Sequence, residues 1–191
     1  MSDFPRELTA DNIEGAISRY LTLVSQVALI NASASGLDLL RELKRGTIGV
    51  GPYPDVSLFE AANRIMTDLV ILYGVRWLLR SSAFAFKAYH VEYGHDNKNA
   101  FDITASAGNK KLQGEAFNVA KQFFQTKKAK MLRKLKGSKG AGSIRMLVFN
   151  DDAVRNASAL APRQGHIYIV VDLGSGDCRS LPADLRELAS R

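Results

Sequence analysis

Residues 83–120 read AFAFKAYHVEYGHDNKNAFDITASAGNKKLQGEAFNVA, and the fold turns on how this stretch is parsed. FAFKAYHVEYG has the two-residue alternation and aromatic content of a strand. HDNKN reads as a turn, AFDITAS as a second strand, AGNKK with Gly108 as another turn, and LQGEAFNVA as a third strand. Polar connections this short imply an antiparallel meander.

Upstream, Ser57 reads as the N-cap of a long helix over 58–79, almost continuously apolar after Ile65 and therefore buried on more than one side. Before it lie a helical pattern from Asp11 to about Asn31, a short helix over 37–44 stopped by Gly46, and the Gly/Pro-rich loop TIGVGPYPDV. Downstream, Lys121–Lys136 returns to helical period, with Ala120, Phe124, Met131 and Leu135 on one face. SIRMLVFN and HIYIVVDLG are apolar runs of the kind found in buried parallel strands, with a helix expected over 151–161 between them. SLPADLRELASR reads as a closing amphipathic helix. The order predicts an α/β fold, a mixed sheet flanked by helices. It divides into an N-terminal helical extension (1–50), an α/β core (51–176) and a tail helix (177–191), one domain overall.

The chain has 191 residues with 46% hydrophobic content, enough to bury a core without disulfides. One cysteine and three histidines exclude an internal disulfide and a cysteine-based zinc framework, and suit a reducing, cytoplasmic setting. No secretory signal opens the chain, and the most apolar stretch, DLVILYGVRWLL, contains Arg76 and is too short for a bilayer span, so no membrane partner is expected. The net charge of +7 is not spread evenly. Lys121–Lys139 carries eight cations and no acid, leaving 18 cations against 19 acids elsewhere. A run this concentrated points to a polyanion, with a solvated helix face as the plain alternative.

Three acids fall where the topology would gather them: Asp102 at the start of the second strand, Glu115 in the third, and Glu60 in the first turn of the long helix. Facing residues on adjacent antiparallel strands lie about 5 Å apart. Two carboxylates at that spacing repel unless a cation lies between them, and Mg²⁺ is commonly held by one or two carboxylates plus water and phosphate.

Helix, three-stranded meander, helix, strand, helix, strand, with acids in those three places, resembles the PD-(D/E)XK nuclease superfamily and its restriction-endonuclease-like αβββαβ(α)β core. The resemblance covers roughly Ser57–Gly174. It implies Asp102 and Glu115 as ligands of Mg²⁺ or Mn²⁺ and Glu60 as an accessory acid. The family's lysine two residues after the Glu is absent, since Phe117 stands there, and no Pro precedes Asp102. The resemblance then implies a lysine relocated to the following helix, for which Lys121 is the candidate. Lys121, Gln125 and Lys128 form one stripe on that helix. With Lys127, Lys130 and Lys134 they are the expected contacts to nucleic acid, DNA before RNA.

Each element also has a plainer reading. Ser57-Leu-Phe-Glu60 is a capping box. Asp102 could bond a neighbouring turn. Asn118 alternates with Ala116, away from Glu115 and Phe117, and reads as a structural hydrogen-bonder. His90 and Glu92 share a face and could join the site. His95 reads as a turn residue, and Asp151 with Asp152 as helix caps. Three functions follow: a metal-dependent nuclease-like protein, a non-cleaving module of the same fold that binds nucleic acid or a partner protein, and, ranked last, a basic helix that docks an acidic partner or a membrane surface. Cutting both strands would suit a homodimer, for which the N-terminal helix pair is the candidate interface.

Overall fold

The computed structural model describes residues 4–27, 35–81, 83–93, 99–137, 143–154, 160–163 and 165–185. In chain order the elements are β1 (Glu7–Thr9), α1 (Ile13–Val24), α2 (Gly36–Arg45), α3 (Leu58–Ser81), β2 (Ala88–Val91), β3 (Ile103–Ala107), β4 (Lys110–Phe117), a 3₁₀ turn (Lys121–Phe123), α4 (Phe124–Lys136), β5 (Ser143–Asn150), β6 (His166–Val171) and β7 (Cys178–Leu181). The strands form one mixed sheet in sequence order. β1 to β4 are antiparallel, β4, β5 and β6 run parallel, and β7 is antiparallel to β6. Among the described residues no helix is long and apolar enough to cross a membrane.

The meander forms as expected, joined between β3 and β4 by Gly108 and Asn109 alone, because Ala107 pairs with Lys110. A two-residue hairpin needs positive φ, and Gly108 supplies it at +57°. Alternation then sorts the strands onto two cores. Leu112, Ala116, Met146, Val148, Ile167 and Ile169 face one core with α3, while Phe117, Leu147, Phe149, Tyr168 and Val170 face the other with Phe124, Met131, Leu132 and Leu135 of α4. β5 and β6 are thus covered on both faces, which accounts for their apolar runs. α3 lies between the sheet and α1, which is why its buried residues run without a break from Asp68 to Val75. Gly74 lets α3 come close to the sheet, since a methyl group there would stand 2.7 Å from Val148 Cγ1.

Several boundaries differ from the sequence expectation. Only Ala88–Val91 of the first long strand pairs, and Phe84 and Phe86 pack into the α3 core from an irregular segment. The N-terminal stretch is not helical throughout, because Glu7–Thr9 adds an edge strand to β2. The tail expected as a helix instead begins with β7, antiparallel to β6. Strands of three or four residues are too short to show alternation, and only the partner edge reveals them. Asp151–Val154 is a turn, while 155–159 of the expected helix, residues 186–191 of the tail, His95 and Lys139 lie outside the described residues.

Asn150 ends β5 at 1% exposure. Its Oδ1 accepts from Val119 N–H at 3.0 Å and its Nδ2 donates to Val119 C=O at 3.0 Å, fastening the β4–α4 connection to the sheet. Asn150→Ala strands both backbone groups of Val119. It should cost about 2–3 kcal/mol in urea unfolding, and a loss below about 0.5 kcal/mol would contradict this role.

Candidate active site

Strand register sets the carboxylates side by side. Ile103 pairs with Gly114, so the next pair outward is Asp102 opposite Glu115. Asp102 is held by its Oδ2, which accepts the Ala116 N–H at 2.8 Å. Glu115 follows Gly114 onto the α4 face and is 1% exposed. Lys134, in the last turns of α4, donates from Nζ to Glu115 Oε2 at 2.8 Å and stands 2.7 Å from Oε1. Both carboxylate oxygens of Glu115 thus face the Lys134 ammonium, and Oε1 is buried with no other polar partner among the described residues. Nζ also lies 5.8 Å from the centre of the Phe101 ring.

These residues border a cavity of about 750 Å³ at the end of the sheet, with α3 on one side and α4 on the other. Five carboxylates line it, from Glu60, Asp68, Glu92, Asp102 and Glu115, against the cations Arg64, Lys127 and Lys134. Burial pushes Glu115 up to about 7, helped by the Asp102 charge and opposed by Lys134 and Lys127. Burial likewise raises Asp102, opposed by the Ala116 N–H and the same two lysines.

This has a consequence for stability. Because the folded state holds the Glu115 proton more tightly than the unfolded chain, its contribution is complete below about pH 4.5 and is lost as pH rises through about 7. Wild type should therefore lose stability between about pH 5 and pH 8, by roughly 3 kcal/mol from this group. Glu115→Gln should flatten the profile, and parallel urea-unfolding profiles for the two proteins would rule out the buried charge as the cause.

The sequence-derived candidates divide by position. Asp102, Glu115, Glu60, Lys127 and Lys134 line one cavity, and Lys121, Gln125, Lys128 and Lys130 do not. Lys121 lies in the 3₁₀ turn before α4, and the amine that reaches Glu115 is that of Lys134. Phe117 fills the second core at 1% exposure, stacked on Phe149 with ring centres 5.5 Å apart, a place where a lysine would bury its charge. Glu60 is half-exposed at the rim and pairs with Arg64, while its N–H donates to Ser57 Oγ at 3.3 Å, so the backbone half of the capping box forms. Lys128 is partly buried beside the Phe124 ring.

Glu92 joins the site. It is buried, borders the cavity beside Asp102, and contacts Arg6 at 3.5 Å and His90 at 3.6 Å. Its N–H donates to Asp102 C=O at 2.8 Å. His90 itself lines a separate cleft on the sheet face. Asn118, beyond the end of β4, also borders the cavity.

Asp68 was missed by sequence reasoning. It accepts hydrogen bonds from Tyr20, at 2.7 Å, and from Tyr53, tying α1 and the loop before α3 to the cavity wall. An acid inside an almost wholly apolar helix is the signal that marks it. Comparison with protein-family models, curated proteins and solved structures finds no match to this chain.

Proposed function

We propose that this chain is a metal-dependent nuclease-like protein of restriction-endonuclease-like architecture that binds DNA and cleaves its phosphodiesters. The observation that carries the reading is the juxtaposition of Asp102 and Glu115 on adjacent strands with Lys134 Nζ on Glu115. It assembles in space two acids and a lysine of the kind the PD-(D/E)XK resemblance implies, with the lysine drawn from α4. The succession α3, β2–β4, α4, β5 follows the αβββαβ order and adds support.

The donor set suits a hard cation. Magnesium asks for one or two carboxylates and leaves its remaining positions to water and phosphate. Glu115 Oε1, whose polar contact among the described residues is Lys134 Nζ, retains a lone pair for such an ion. Among the described residues no group of three or more metal-ligating side chains is gathered, so an ion here would rest on Asp102 and Glu115 with water and phosphate. When bound, Mg²⁺ or Mn²⁺ would polarise the phosphodiester and lower the pKa of a water.

The chain's own groups do the rest. The Ala116 N–H orients Asp102, Lys134 sets positive charge where it meets charge developing on a phosphoryl group, and Lys127 adds to the same field. Lys121, Gln125, Lys128 and Lys130, outside the cavity, extend the contact along the phosphate backbone. The direct test is nicking of supercoiled plasmid with Mg²⁺ or Mn²⁺ against a chelated control. No cleavage with either metal would overturn the nuclease reading. The second reading, a non-cleaving binder, is favoured by Lys134 already balancing Glu115, and it predicts salt-dependent DNA binding without nicking.

A further inference from the structure

We propose that the site takes single-stranded nucleic acid or a strand end, and that Phe59 and Phe123 are platforms on which its unpaired bases stack. The inference rests on the nuclease reading and specifies its substrate. Among the described residues, the exposed large apolar side chains include two aromatics, Phe59 at 64% and Phe123 at 61% exposure. Leu21, Leu37, Leu40, Val50 and Met66 are exposed as well, so exposure alone assigns the rings no use and their placement carries the inference.

Their positions are related. Phe59 lies in the first turn of α3, next to Glu60 and one turn before Asn63, both of which line the cavity. Asn63 Nδ2 donates to Phe59 C=O at 3.1 Å. Phe123 sits in helical conformation at the start of α4, one turn before Lys127, which lines the opposite wall. Residues four apart share a helix face. Each wall of the cavity therefore carries an exposed aromatic ring one turn away from a cavity-lining side chain.

Size and charge specify the occupant. The site is an open cleft of about 750 Å³, a volume that suits a nucleotide or two. A double helix, whose major groove alone is about 12 Å wide, does not seat in it, whereas a negatively supercoiled plasmid offers transiently unpaired stretches that do. Phe124–Lys136 carries six lysines and arginines and no acid, a track for phosphates beside Phe123. Cations that follow the backbone, interleaved with aromatics that take the base faces, are the combination that binds unpaired strands with little sequence preference.

The test is binding of labelled oligothymidylate, and of a duplex of equal length, in chelator so that cleavage does not intervene. Wild type should prefer the single strand. Phe59→Ala and Phe123→Ala should each weaken single-strand binding by about tenfold, as expected for the loss of one stacked base. The slope of affinity against salt should not change, because no phosphate contact is lost. Phe→Trp at either position should retain affinity. Both rings are exposed, so the variants should fold, which far-ultraviolet circular dichroism checks. Alanine variants that bind like wild type, or that lose single strand and duplex alike, would overturn the proposal while leaving the nuclease reading intact. Wild type that binds no single strand would overturn the proposal, and absence of nicking with either metal as well would overturn both. Unchanged affinity with an altered oligomeric state would overturn it by reassigning the rings to a protein interface.

Discussion

Asp102→Asn and Glu115→Gln are each expected to lower Mn²⁺-dependent plasmid nicking by at least about 10²–10³-fold, the scale of removing one charge-stabilising group from a water-excluded site. Both substitutions keep shape and remove charge. In Asp102→Asn the amide oxygen can still accept the Ala116 N–H, and in Glu115→Gln the amide oxygen can still accept from Lys134, so the local backbone should survive. A neutral amide holds a hard cation far less well than a carboxylate. If the two acids act as one unit, the double variant should fall little below either single variant. Retention of nicking to within about threefold of wild type in either single variant, a difference of under about 1 kcal/mol, would remove that acid from the machinery.

Lys134→Met should lower both activity and stability, and the two losses should separate by pH. Methionine keeps much of the aliphatic stem while deleting the ammonium, which lies 5.8 Å from the centre of the Phe101 ring. Glu115 would then be a buried carboxylate without its counter-charge, a change that costs about 3–5 kcal/mol when it cannot be relieved. Relief is available, because a carboxyl already raised to about 7 by burial can take up a proton. The penalty should be small near pH 5 and grow to about 1.4 kcal/mol by pH 8, the most that a carboxyl at about 7 allows over that range. Lys134→Arg should restore stability. Adding Glu115→Gln to Lys134→Met should restore stability and leave nicking lost, a pattern that a purely structural ion pair does not produce. A pH-independent loss in Lys134→Met would contradict the coupling.

How much of this was legible in the chain differs from residue to residue. The Asp102–Glu115 pair was readable because a tight hairpin fixes its own register, and register is local. β5 and β6 were readable because burial on both faces leaves an unbroken apolar run. Lys134 was not, because helical period yields several stripes and only the crossing of α4 over the sheet selects one. Lys121, Gln125 and Lys128 make one stripe, while Lys127, Met131 and Lys134 make another, and the second borders the cavity. Met131 is shared between that wall and the second core, and apolar character alone assigned it to the core. β1 and β7 escaped because an edge strand of three or four residues is defined by its neighbour rather than by its own pattern.

The close seat of α3 at Gly74 makes the width of the cavity a property of the core. The wall residues Glu60, Arg64 and Thr67 lie on the same helix, and Arg64 is ten residues from Gly74, about 15 Å along the axis. A side chain at position 74 would have to displace either Val148 or the helix itself. Because α3 behaves as a rod resting on the sheet at that point, even a small displacement there would tilt the far wall relative to the strands that carry Asp102 and Glu115. The aperture that leads to the two acids is thus gauged by a missing methyl group deep inside the protein, one turn along α3 from the cavity-lining Ile71.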